Sequence, residues 1–189
     1  MSTTDEKNRT AAQLQEELDQ ELAEIENLIQ HLPNSKSILQ RREIWPSLEE
    51  TLQKSGWTSE RSIDVSAIAK ELSSLGVDFH EFARKFISSY NNLTVHFPRK
   101  NINKSHTYKF DALFSADHYV EFRLEEDQSI IQHHLCPIGV DNYGMVVLLI
   151  DDIGRIFASI DRKLHFVANT IQDALEKLNR DERFQPIDE

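Results

Sequence analysis

The single cysteine of the chain, Cys136, follows the adjacent histidines His133 and His134. A thiol beside an imidazole supplies the nucleophile and base of Cys–His hydrolases, which hold the pair in a polar cleft. Here the apolar run Met145–Ile150 lies just beyond the cysteine and indicates a buried strand. We therefore predict that Cys136 is an inert core thiol. The three residues also lack zinc-finger spacing and a second ligand pair, so no metal site is predicted.

Acidic residues stand side by side at 125–127 and at 151–152. Neighbouring carboxylates can hold a divalent cation or act as acid and base. However, Asp151 and Asp152 belong to Asp-Asp-Ile-Gly, a short hairpin connection in which Asp is favoured for turn geometry and Gly154 for positive φ. The run at 125–127 is typical of a solvated helix face. The chain also has no nucleophile elbow and no glycine-rich phosphate loop. The sequence therefore predicts no catalytic residue and no cofactor.

The composition is that of a soluble globular protein, since 39% of the 189 residues are apolar and 28% are charged. No apolar stretch reaches the length that spans a bilayer, and the N-terminus has no signal core. One cysteine excludes an intrachain disulfide. We therefore expect a cytoplasmic protein that does not engage a membrane.

The formal net charge of −11 argues against direct binding of nucleic acid, which requires clustered lysine and arginine. It permits the opposite role, a partner for a basic molecule. The charge is uneven, because residues 1–32 contain eight acidic and only two basic residues.

The N-terminal part of the chain carries a heptad pattern, in which Ala11, Leu18, Ile25 and Leu32 recur every seven residues. The pattern predicts an amphipathic helix that either packs on its own domain or forms a homodimer through residues 11–32. The chain then divides into a disordered N-terminus (1–10), a helical extension (11–43), an α+β domain (44–179) and a polar tail (180–189).

Caps and turn residues divide the α+β domain into helices followed by a sheet. Asp64 is expected to cap one helix, and Asp78 with Glu81 to form a capping box for the next. Further helices are expected at 37–44, from Pro46 to Gly56, at 117–132 and after Asn169 or Thr170. Strands are expected at 93–97, 108–110 and 164–167, together with a hairpin at 135–158. The tail after Asn179 is expected to fray. Strands joined by hairpins exclude a doubly wound parallel sheet. The fold class is therefore α+β, a mostly antiparallel sheet covered by helices.

An ordered set of short motifs runs from Ile44 to Leu178. It comprises Gly56-Trp57 with Arg61, the aromatic stretch Phe82–Tyr90 leading to Leu93-Thr94-Val95, Pro137-Ile138-Gly139, Ile150-Asp151 with Gly154-Arg155-Ile156-Phe157, and Ala174–Leu178. In this order the chain resembles the SUKH superfamily of bacterial immunity proteins, in particular its third subfamily. Asn92 and Asn169 stand where the family pattern has glycine, and asparagine is the best replacement for glycine at positive φ.

The resemblance implies a SUKH-like α+β fold in which six residues are structural: Gly56, Trp57, Arg61, Pro137, Gly139 and Gly154. It also implies an immunity protein that neutralises a cognate toxin domain, often a nuclease or another nucleic-acid-modifying enzyme. The family offers no catalytic residues to transfer, so we expect no enzyme. An acidic face would speed capture of a basic toxin, which the protein would then occlude stoichiometrically.

The candidate contact residues are acids on or near the loops of the sheet: Glu125, Glu126, Asp127, Asp141, Asp151 and Asp152. Each is equally explained as a solvated acid without a partner. Two other functions stay open. One is a non-catalytic adaptor that dimerises through residues 11–32. The other is an enzyme with an unrecognised site, which would require a deep polar pocket.

Overall fold

The computed structural model describes residues 45–100 and 105–187, together with Gln20. The chain divides into two compact units, Met1–Trp45 and Pro46–Glu189. Gln20 in the first unit is helical and exposed. The predictions for residues 1–10, for the rest of the heptad helix and for a helix at 37–44 lie outside the described residues. Among the described residues, no helix is long and apolar enough to cross a membrane.

Five helices and seven strands form in the described part of the second unit. The helices are α1 (Leu48–Gln53), α2 (Ser66–Ser74), α3 (Glu81–Tyr90), α4 (Ala112–Ile131) and α5 (Ile171–Asn179). The strands are β1 (Leu93–Pro98), β2 (Ser105–Phe110), β3 (Leu135–Asp141), β4 (Val146–Asp151), β5 (Ile156–Ile160), β6 (Lys163–Ala168) and β7 (Gln185–Pro186). All seven strands form one sheet in chain order, and each pairs with the next in antiparallel fashion. The predicted α+β fold with an antiparallel sheet is confirmed.

The centre of the sheet is buried on both faces. Every residue of β3 and β4 is buried, as the run of apolar residues predicted for β4. Helices α3 and α4 both pack against β3 and β4. A bulge interrupts the pairing between Pro137 and Gly139, and a Cβ at Gly139 would lie 2.8 Å from the Phe110 ring. Glycine therefore permits the close approach of β3 to β2.

An aromatic cluster joins α3 to the sheet. The Phe86 ring lies 5.0 Å from that of Tyr90 and 5.2 Å from that of Phe110 between centroids. Tyr90 in turn stacks on Trp57 at 6.1 Å. These contacts confirm the prediction that the aromatic stripe of α3 belongs to the core. The helix ends at Tyr90 with Asn91 as its C-cap, and Asn92 has a φ of 66°, the positive φ expected where asparagine replaces glycine.

Two predicted helix caps are wrong. The residue before α2 is Val65, which makes no side-chain cap, although the Asp64 carboxylate accepts the backbone N–H of Ser66. Helix α3 is not started by a capping box at Asp78. Its N-cap is His80, whose Nδ1 accepts the N–H of Ala83. Histidine is a less common N-cap than Ser, Thr, Asp or Asn, so the sequence pattern does not indicate this cap.

The cap at His80 makes the stability of α3 depend on pH. Nδ1 must be unprotonated to accept the Ala83 N–H, and Nε2 lies 3.3 Å from the Ile150 carbonyl oxygen. Burial lowers the pKa of His80 below its ordinary value of 6.5, although the bond to Ile150 and nearby carboxylates oppose that effect. A depressed folded pKa means that the stabilisation is present above pH 6.5 and is lost as the pH falls through the folded value.

We expect the free energy of unfolding to fall between pH 7.5 and 5 by about 0.5 to 1 kcal/mol more in the wild type than in His80→Asn. Asparagine caps a helix without titrating in this range, and the figure is discounted because the imidazole is only half-buried. Urea unfolding of both proteins at the two pH values provides the measurement. Equal losses in the two proteins would show that the cap at His80 does not titrate.

Two boundaries also differ from the predictions. Helix α4 starts at Ala112 rather than at 117, because the Asp111 carboxylate caps it by accepting the Phe114 N–H. The chain after Asn179 does not fray as predicted. Instead β7 pairs with β6, and Phe184 and Ile187 pack against the core.

The predicted cap of α5 at Thr170 is confirmed, because the Thr170 hydroxyl accepts a hydrogen bond from the Asp173 N–H. Asn169, which stands where the family pattern has glycine, does not adopt positive φ.

Candidate partner-binding site

The six predicted contact acids fall into two groups. Glu125 and Glu126 are exposed on α4, and Asp152 is partly exposed in the β4–β5 turn. Asp127, Asp141 and Asp151 are buried. The prediction of a solvated face at 125–127 is therefore wrong for Asp127, because the residue points into the protein.

The Asp127 carboxylate is the centre of a buried network within α4. It accepts a hydrogen bond of 2.5 Å from the Tyr119 hydroxyl and one of 2.6 Å from the Arg123 guanidinium. Arg123 also pairs with the exposed Glu126 at 2.7 Å. Burial, together with the charge of Asp127, raises the pKa of Tyr119 above its ordinary value, so the phenol stays a donor. This carboxylate fixes the helix from inside and is not free for a partner.

Asp141 and Asp151 each hold a hairpin turn. The Asp141 carboxylate accepts the N–H groups of Met145 and Val146 at the β3–β4 turn. The Asp151 carboxylate accepts the Arg155 N–H at 2.7 Å and the Arg155 Nε at 2.6 Å at the β4–β5 turn. Both acids are therefore turn formers, as their type in such turns predicts.

Asp152 reaches solvent beside a histidine. Its carboxylate lies 2.6 Å from Nδ1 of His133. Burial raises the pKa of Asp152, but hydrogen bonds with His133 and His134 outweigh that effect, so the pKa lies below its ordinary value. Ligand atoms of His133, Asp151 and Asp152 lie within 4.8 Å of one another. A cation there would compete with Arg155 for the Asp151 carboxylate. The groups that could bind a metal therefore already interact with other residues of the protein.

Cys136 is fully buried, and burial raises the pKa of its thiol above the ordinary value. The thiol therefore stays protonated near neutral pH, as expected for an inert core cysteine.

One exposed apolar feature of the surface was not predicted from the sequence. Tyr143, in the β3–β4 turn, is 76% exposed, and its neighbour Met145 is 59% exposed. Tyr143 and the half-exposed Phe114 bound a cleft of about 420 Å³. Its floor consists of Thr94, Thr107, Lys109 and Val140. We call this feature the Tyr143 cleft. An aromatic residue within a hairpin turn was the sequence signal that could have revealed it.

The floor of the Tyr143 cleft is one face of the sheet edge. Thr94 of β1 pairs with Lys109 of β2, which pairs with Val140 of β3, so the three side chains form a cross-strand row. Thr94 is exposed and Lys109 is half-exposed. Lys109 lies 2.9 Å from the Asp111 carboxylate, and its ammonium group lies 4.3 Å from the centre of the Phe114 ring. The charge of Lys109 is therefore already matched within the protein.

A row of carboxylates continues along α4 from Phe114. Asp117, Glu121 and Glu125 follow at helical spacing, and all three are exposed. None of the three has an ion pair with another residue in the described ranges. We call these residues the acidic row. Of the predicted contact acids, only Glu125 belongs to it.

Comparison with known protein families places residues 45–181 in the SUKH-3 immunity protein family. The chain belongs to that family. Neither the curated proteins nor the solved structures yielded a match. Membership supports a role as an immunity protein, and it implies that the chain binds a cognate toxin protein.

The motif residues of this SUKH-3 domain link the connection after α1 to the end of α3. Arg61 donates a hydrogen bond of 2.7 Å to the carbonyl oxygen of Asn91. The Asn91 side chain accepts the Ala112 N–H, which joins the start of α4 to the same point. Trp57 packs on Tyr90, and Gly56 donates to the carbonyl oxygen of Gln53 within the turn that follows α1.

The other motif residues shape the sheet of the SUKH-3 domain. Pro137 and Gly139 flank the bulge in β3. Gly154 has a φ of 93°, and a Cβ there would lie 2.7 Å from the Phe82 ring. Only glycine meets both conditions without strain. We therefore interpret the six motif residues as structural. The surface that contacts a partner must then be formed by other residues.

Proposed function

We propose that this SUKH-3 protein neutralises a toxin domain in the cytoplasm by stoichiometric occlusion, without catalysis of its own. The observation that carries the proposal is the family match over residues 45–181. The proposed toxin is a nuclease or another nucleic-acid-modifying enzyme, the class that the sequence resemblance implies.

The charge of the chain supports a basic toxin. Enzymes that bind nucleic acid carry clustered lysine and arginine, whereas this chain has a formal net charge of −11. Opposite net charges accelerate the encounter of two proteins and disfavour wrong partners. Among the predicted acids, we propose Glu125, Glu126 and Asp152 as contacts because they reach solvent. The buried Asp127, Asp141 and Asp151 act instead through the structures they hold.

If a neighbouring gene encodes a large protein with a basic C-terminal domain, co-expression of that domain with this chain tests the function. We expect restored growth, a one-to-one complex by native mass, and toxin activity that falls linearly to zero at one equivalent. Charge reversal of Glu125 to lysine should weaken rescue, and Glu125 is chosen because Glu126 already pairs with Arg123. The same reversal at the exposed acids Glu60 and Glu71 is the matched control. Inhibition by far less than one equivalent, or a covalent change in the toxin, would contradict occlusion.

A further inference from the structure

We propose that the Tyr143 cleft is where the toxin docks, and that its occupant is a basic toxin segment that inserts one apolar side chain. The inference rests on the function proposed above and names the surface and the partner chemistry. Five large apolar side chains are exposed among the described residues: Trp45, Phe114, Tyr143, Met145 and Ile153. Two of them bound this cleft, and Met145 belongs to the same turn as Tyr143.

The turn presents Tyr143 in a fixed position. Asp141 accepts the N–H groups on the far side of the turn, and its carbonyl oxygen accepts the Gly144 N–H. The Asn142 N–H donates to the Thr107 carbonyl oxygen and ties the turn to β2. On this held backbone, a tyrosine side chain has only two torsions to fix, so it loses little conformational entropy on binding, and tyrosine is enriched among binding hot spots.

The opposite wall is also held in place. Phe114 lies in the first turn of α4, whose N-cap is Asp111. Lys109 bridges these two residues, since it pairs with the Asp111 carboxylate and lies over the Phe114 ring. The cleft between the two aromatic walls is therefore preorganised for an apolar side chain, with polar groups on its floor.

Charge identifies the occupant. The acidic row, Asp117, Glu121 and Glu125, begins one turn of helix beyond Phe114 and lacks internal partners among the described residues. Lysine or arginine beside the inserted side chain would pair with this row. The N-terminal segment of the same chain is itself acidic over residues 1–32, and a second copy has a net charge of −11. The charge of the row therefore complements a basic toxin better than it complements either of these acidic alternatives.

The test measures the affinity of full-length variants for a purified, catalytically inactivated toxin domain that the wild-type protein neutralises in the co-expression experiment. We expect Tyr143→Ala to weaken binding about 30-fold, a typical loss at a tyrosine hot spot. Glu121→Lys should weaken binding about tenfold and reduce its dependence on salt. Gln53→Ala is the control for side-chain truncation, because Gln53 is exposed on α1 and does not line the cleft. Glu60→Lys is the control for charge. Both controls should stay within threefold of wild type.

The possible results separate this site from the function itself. If the wild-type protein binds the toxin, and Tyr143→Ala and Glu121→Lys bind it with the same affinity as wild type, the proposed docking site is overturned. The proposed function then still stands. If wild type does not bind the toxin, both are overturned. If Tyr143→Ala binds more tightly, or changes the native mass of the free protein, the cleft is covered by this chain or a second copy, and the proposal fails. Thermal unfolding midpoints equal to wild type would confirm that the variants fold.

Discussion

Replacement of Asp127 by alanine is expected to lower the free energy of unfolding by about 3 kcal/mol, because it breaks a buried ion pair. Asp127 is completely buried, and both partners of its carboxylate, Tyr119 and Arg123, are shielded from water. Without the carboxylate, the phenol and part of the guanidinium lose their partner inside the protein. Arg123 keeps its contact with Glu126. The expected loss of stability therefore lies at the lower end of the range for removal of one partner of a buried ion pair.

The matched control is Glu125→Ala, two positions earlier on the same helix. Glu125 is exposed and has no ion pair among the described residues, so this change should stay within about 0.5 kcal/mol of wild type. Urea unfolding at pH 7 measures both variants. A loss below 1 kcal/mol in Asp127→Ala would mean that the network contributes little to stability.

Local sequence patterns sufficed wherever the decisive interactions lie close along the chain. The unbroken apolar run before Asp151 predicted a strand buried on both faces, and β4 is such a strand. The aromatic spacing in 82–90 predicted the core face of α3, and Thr170 was a correct cap because its partner is three residues away. The turn residues within the predicted hairpin at 135–158 also indicated a mostly antiparallel sheet, and β3, β4 and β5 pair in that way.

The predictions failed where the partner is distant or a residue type has two roles. β7 forms only because β6 offers it an edge, and nothing near Gln185 in sequence signals that pairing. Three adjacent acids looked alike, yet the helical rotation at 125–127 turns one side chain inward to Tyr119. The cap at His80 likewise depends on the approach of α3 to the Ile150 carbonyl oxygen.

The candidate contact surface was harder to predict than the fold. Acidic residues in hairpin turns signal both turn formation and negative surface, and sequence alone does not separate the two. Asp141 is the example, because its carboxylate forms the turn while the neighbouring Tyr143 is presented to solvent. Residues that form a docking surface need only an exposed position, so they leave no periodic signal. Tyr143 and Phe114 are brought together by β2 and β3 from well-separated parts of the chain.

Replacement of Asp151 by alanine is expected to lower the free energy of unfolding by about 3 kcal/mol as well. Its side chain is completely buried, and it binds both the backbone N–H and the guanidinium of Arg155. Its second backbone partner is the Ile153 N–H at 3.2 Å. The change therefore removes the acceptor for the β4–β5 turn and leaves the arginine, which is 29% exposed, without its counter-charge.

Asp152→Ala supplies the control, because it deletes the adjacent carboxylate of the same turn. Asp152 is 28% exposed, and its pair with His133 also lies near the surface, so the expected loss is about 0.5 to 1 kcal/mol. Urea unfolding at pH 7 would compare the two variants with Asp151→Asn, which keeps an acceptor for the turn and should lose less than Asp151→Ala. Equal losses at 151 and 152 would contradict the division into a structural acid and an accessible one. The expected inequality would leave Asp152 as the carboxylate of this turn that a toxin can reach.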